Sequence, residues 1–118
     1  MGLTVLVCGG RTYNNKEKIY EVLSSIHKET PISVLIHGAA KGADTLAGCW
    51  ARENNIKEKQ CPALWNTHGK AAGSIRNQKM LDDNKVDLVV AFPGGKGTAD
   101  MINRARKSGI EVKEIQNE

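Results

Sequence analysis

The stretch from Val86 to Phe92 constrains the chain most. It is an apolar run rich in β-branched residues, it stops at Pro93, and Gly94, Gly95, Lys96, Gly97 and Thr98 then lead into a helical pattern. That order predicts a strand, a glycine turn and a helix. Glycines let main-chain N–H groups face one point, and a helix start adds free N–H groups and the positive end of its dipole. An anion, a phosphate above all, is the expected guest of such a turn.

Earlier segments repeat the unit. Leu3 to Cys8 is a near-continuous apolar run, as in a strand covered on both faces, and it runs straight into Gly9-Gly10-Arg11. Ile19, Val22, Leu23 and Ile26 then recur at helical spacing, with Asn14 or Asn15 as the cap. A second strand, Ile32 to Ile36, ends in His37-Gly38-Ala39-Ala40-Lys41-Gly42-Ala43-Asp44, and a helix follows with Ala43, Leu46, Ala47, Trp50 and Ala51 on one face. Ile56 to Gln60 is shorter and charged, which suits a sheet edge. Cys61 to Lys70 reads as a loop, a third helix runs from about Ala71 to Asp83, and a fourth from about Thr98 to Ser108. Gly109 ends that helix, and Ile110 to Ile115 is the last strand.

Five strands alternating with four helices call for one α/β domain spanning residues 1–118. Its parallel sheet carries helices on both faces, because right-handed crossovers are nearly obligatory. In the doubly wound order 3-2-1-4-5 the winding reverses between strands one and four. Ligands settle at that reversal, beyond the carboxyl ends of the strands. The two glycine turns after Cys8 and Phe92 fall on either side of it.

The chain has 118 residues, a net charge of +4 and 25% charged residues, the figures of an ordinary globular domain. No apolar run approaches the roughly 20 residues that span a bilayer, so a cytoplasmic protein without membrane contact is expected. Cys8, Cys49 and Cys61 lack ligand spacing and read as buried reduced thiols, the alternative being a reactive Cys8 near the site. His37 and His68 are not spaced for a metal, and no metal or cofactor is expected. Arg104, Arg106 and Lys107 form the densest basic group, which permits nucleic acid without demanding it.

Several side chains have two readings each. Asp44 either complements the dipole of its helix or accepts hydrogen bonds from ligand hydroxyls or from its own turn. Arg11 and Arg76 are either solvated or clamp a phosphate through paired hydrogen bonds. Trp65 is a core plug or a stacking plate for a base. Asp100, in the first turn of the fourth helix, is a dipole partner or a group that polarises water or a ribose hydroxyl. The turn after Phe92 is not a Walker A loop, and no Gly-x-Gly-x-x-Gly fingerprint follows the first strand.

Four motifs occur in order: Val7-Cys8-Gly9-Gly10-Arg11; His37 to Asp44; Trp65 with His68 to Gly73 and Ile75-Arg76-Asn77; and Phe92 to Met101. Together they resemble the SLOG superfamily, in particular its YspA, YpsA-related branch. The resemblance implies a Rossmann-like fold that binds a nucleotide or nucleotide-derived small molecule. It implies ligand contacts at Gly9, Gly10, Arg11, Gly38, Lys41, Gly42, Asp44, Trp65, Lys70, Arg76, Asn77, Pro93, Gly94, Gly95, Gly97 and Thr98. Lonely-guy phosphoribohydrolases share the Pro-Gly-Gly-x-Gly-Thr loop, and Arg76 and Asp100 are the nearest counterparts of their catalytic Arg and Glu. The carboxylate here is one methylene shorter, and Arg-Asn stands where those enzymes have Glu-Arg-Lys. The DNA-processing protein DprA, another relative, binds single-stranded DNA. Three functions follow as expectations: a nucleotide-ligand binder, an N-glycosidic hydrolase of a nucleoside monophosphate, and a single-stranded nucleic-acid binder. An open site on so small a domain also permits a neighbouring subunit, in a homo-oligomer, to complete it.

Overall fold

The computed structural model describes residues 2–116. Five parallel strands, β1 (Leu3–Cys8), β2 (Ile32–His37), β3 (Lys57–Gln60), β4 (Leu88–Ala91) and β5 (Glu111–Glu114), form one sheet in the order β3-β2-β1-β4-β5. The chain leaves β1 toward β2 and returns to β4 on the other flank. The winding therefore reverses between β1 and β4, as the sequence predicts.

The apolar runs of the central strands are explained by two cores. Val5, Val7, Val90 and Phe92 face one side and pack with Ile19, Leu23 and Trp50 from α1 (Lys16–Glu29) and α2 (Ala43–Glu53). Leu6, Cys8, Val89 and Ala91 face the other. They meet Met80 and Met101 from two further helices, α4 (Ala72–Asp83) and α5 (Lys96–Lys107). A period-two pattern buried on both faces leaves no polar positions. Trp50, almost wholly buried, donates Nε1–H to Ser24 Oγ at 2.9 Å and so joins α2 to α1. The edge strands β3 (Lys-Glu-Lys-Gln) and β5 (Glu-Val-Lys-Glu) are mostly exposed and charged, a composition that opposes pairing with another sheet.

Boundaries move by a residue or two from the sequence reading, and one segment changes character. Cys61 to Lys70 is not a plain loop. A single helical turn, α3 (Trp65–His68), is held by Thr67 and His68 N–H groups donating to Leu64 O at 3.0 and 2.9 Å. A 3₁₀ turn over Gly69–Ala71 then leads directly into α4, giving five α-helices among the described residues rather than four. Four residues are too few for helical periodicity to show. Asn15, not Asn14, caps α1, its side chain accepting from Lys18 N at 3.1 Å. Helix α5 starts at Lys96, two residues before Thr98. Among the described residues no helix is long and apolar enough to cross a membrane.

Candidate functional site

The tips of β1 and β4 are bonded side by side. Gly10 N donates to Pro93 O at 2.9 Å and Phe92 N to Cys8 O at 2.9 Å. A Cβ on Gly94 would stand 2.6 Å from Gly10 N and 2.3 Å from Thr98 Oγ1, so glycine is what lets the two turns close. The Gly10 amide is therefore committed to Pro93 and cannot serve a ligand. The amides at the α5 end differ. The first intrahelical bond runs from Ala99 N to Gly95 O, which leaves the N–H groups of Lys96, Gly97 and Thr98 ahead of the ladder.

A cavity of about 1070 Å³ opens over these tips. The turns after β1 and β4, Gly38 and Asp44 after β2, Trp65 of α3, and Arg76 and Asn77 of α4 line it. Gly95 and Gly97 are on this wall, and a Cβ at either would meet nothing within 4 Å. Neither has a positive φ. The chain's own packing gives no reason for glycine at these two positions.

Arg76 reaches the sheet from the fourth helix. Its Nη1 donates to Gly38 O at 2.6 Å and to Cys61 O at 3.3 Å, and its Nε donates to Asn77 Oδ1 at 3.0 Å. Among the described residues it forms no ion pair, although it is more than half buried. Burial pulls its guanidinium down from the ordinary value, and the nearby Asp44 charge counters part of that. A Cβ on Gly38 would overlap this guanidinium at 2.1 Å.

Asp44 resolves in favour of its own turn. Its Oδ2 accepts from Gly38 N at 3.0 Å and Ala40 N at 3.3 Å. Burial raises its carboxyl above the ordinary range, while those amides and the Arg76 charge oppose the shift. Arg11 lies over the Trp65 ring, 5.6 Å from its centroid, and Trp65 is 49% exposed at the rim. Trp65 is thus no core plug; its face carries a cation. Cys8 lines the cavity floor, but burial pushes its thiol up to about 12, which removes the thiolate that a reactive cysteine needs.

Four of the residues singled out from sequence do not line the cavity. Lys41 and Lys70 are exposed outside it. Gly42, with φ of +79°, makes the turn that lets Ala43 N donate to Gly10 O at 3.2 Å. Asp100 sits behind the wall, its Oδ2 accepting from Asn77 Nδ2 at 3.0 Å and Arg104 Nε at 2.8 Å. Burial alone would raise its carboxyl, but these two donors hold it below the ordinary value. The sequence reading missed Thr12, Tyr13, Asn14 and Lys96 as lining residues. Adjacency to the two glycine turns was the available signal.

Residues 3–68, more than half of the chain, match the family described as YspA, cpYpsA-related SLOG. The chain belongs to that family. The matched part carries the Gly9-Gly10-Arg11 turn and the Gly38 to Asp44 turn of this SLOG protein. Gene 61 protein of Mycobacterium phage D29 is 34% identical over 116 residues, covering 92% of each chain. That alignment extends the likeness beyond the matched part into the β4–α5 half. SLOG membership agrees with the five-stranded fold and with a nucleotide-related site.

Proposed function

We propose that this SLOG protein binds a nucleotide or nucleotide-derived phosphate in the cavity over β1 and β4, as a sensor, carrier or sequestering protein. The observation that carries the reading is Arg76, a largely buried guanidinium without a carboxylate partner among the described residues, on the same cavity as a helix start flanked by two glycines that packing does not require. A buried cation is costly until an anion meets it. Lys96 and Arg11 add positive charge to the same walls, whereas the lining carboxylate, Asp44, is engaged by two amides. Phosphate would sit at the N–H groups of Lys96, Gly97 and Thr98. Trp65 and Arg11 would take the base side.

Binding is favoured over N-glycosidic cleavage because Asp100, the nearest counterpart of the catalytic carboxylate, is engaged by Arg104 and Asn77 behind the wall. A single-stranded DNA groove is disfavoured because Arg104 and Arg106 are paired with Asp100 and Glu114. Calorimetry against nucleoside phosphates, ADP-ribose and cyclic oligonucleotides tests the reading. Micromolar binding of one of them supports it, and silence across the panel at millimolar concentration ends it. Release of free adenine from AMP, lost in Asp100→Asn, would instead establish the hydrolase.

A further inference from the structure

His37 closes β2 and is 2% exposed, with both ring nitrogens bonded. Ala39 N lies 2.9 Å from Nδ1, and Glu58 Oε2 lies 2.6 Å from Nε2. A backbone amide can only donate, so Nδ1 is the acceptor and the ring proton is on Nε2, donated to Glu58. The imidazole is therefore neutral, in a single tautomer. Together with Asp44, it holds the first three amides of the turn: Gly38 N and Ala40 N on Asp44, Ala39 N on His37. Ala39 is held at φ of +59°, a conformation that a non-glycine residue adopts only when its surroundings enforce it. The carbonyl of this turn, Gly38 O, is the 2.6 Å anchor of Arg76.

We propose that His37 is the positioning residue of the anion site and that its protonation switches the site off. The inference rests on the binding reading above. A proton on Nδ1 faces the Ala39 N–H, so the imidazolium cannot keep that bond. Ala39 then loses the contact that enforces its backbone, and the Gly38 carbonyl shifts under Arg76. The charged groups next to the ring or its partners come from three elements: Glu58 of β3, Asp44 and Arg52 of α2, and Arg76 of α4. Burial works against the Glu58 carboxylate, but His37 and Arg52 hold it ionised below the ordinary value, so an acceptor for Nε2–H persists through the switch. Anion affinity is accordingly coupled to one proton.

Nitrogen-15 NMR of the unliganded protein from pH 8 to pH 5 tests the switch without any ligand. The expected result is an Nε2–H tautomer at pH 7.5, with the Ala39 amide and Arg76 Nε signals moving at the midpoint of His37. An Nδ1–H tautomer, a ring neutral to pH 5, or a titration that leaves Ala39 unmoved overturns the proposal. ADP-ribose, whose diphosphate does not titrate in this range, is the binding probe. Its affinity should fall at least tenfold from pH 7.5 to pH 5.5 in the wild type. His37→Asn, whose Oδ1 can accept from Ala39 but cannot ionise, should bind with a flat profile. His37→Gln, which reaches Glu58 but not Ala39, should bind weakly at both pH values. A wild-type profile as flat as that of His37→Asn refutes the coupling. If ADP-ribose fails to bind at any pH, the nucleotide reading suffers, and the ring titration still decides the role of His37.

Discussion

Replacing Gly97 by Ala separates what the fold needs from what a ligand needs. Gly97 is the second residue of α5, its φ is not positive, and a Cβ built on it meets no atom within 4 Å. Alanine there should stabilise the chain by about 0.5–1 kcal/mol, since glycine in a helix carries the larger conformational entropy in the unfolded state. For a domain of this length the unfolding entropy converts that gain into a rise in Tm of about 2–4 °C. The same methyl group occupies the space over the free amides of the helix start. An anion seated there should lose at least about 1.4 kcal/mol, or tenfold in Kd. Thermal unfolding and calorimetry with ADP-ribose on one preparation give both numbers. A stabilised variant that binds as tightly as the wild type would refute the assignment of this helix end to the ligand. A destabilised one would refute the claim that the chain has room for the methyl.

Arg76→Lys should weaken ADP-ribose binding at least about tenfold, because the single nitrogen of an ammonium lacks the planar fork in which Nη1 holds Gly38 O and Cys61 O while Nη2 is left for an anion; unchanged affinity by calorimetry would remove Arg76 from the site. Cys8 should resist a disulfide reagent at pH 8 in the folded protein and react once urea unfolds it, as read by peptide mass mapping; labelling of the native chain at Cys8 contradicts its raised thiol. Asp100→Asn tests a pH dependence whose sign follows from its depressed carboxyl. The wild type should lead by about 0.5–1 kcal/mol at pH 7, the range of a partly exposed pair. That lead should fade as the pH falls below the ordinary carboxylate value of 3.8 and through the folded one, and a gap that persists at pH 2.5 in urea titrations speaks against it.

Much of the fold was legible along the chain, and the reasons are local. The strands β1 and β4 announce themselves as apolar runs because both of their faces are covered. The charged β3 and β5 stand at the two ends of the strand order, each paired on one side only among the described residues. The α3 turn was not legible, since its bonds to Leu64 O involve four residues without a repeating pattern. In the site, the glycine turns were readable from composition. The fate of individual polar groups was not: the Gly10 amide is spent on Pro93, Asp44 on its own turn and Asp100 on Arg104.

The sequence by itself determined the order of the longer elements, the doubly wound topology and the ends of the strands over which the cavity opens, because periodicity and turn chemistry act over a few neighbouring residues. Only the tertiary structure decided which donors and charges are left over. Arg76 lies 38 positions from Gly38 and Asn77 lies 23 from Asp100, and whether such groups satisfy each other or face an open cavity depends on distances of a few ångströms that no local pattern encodes.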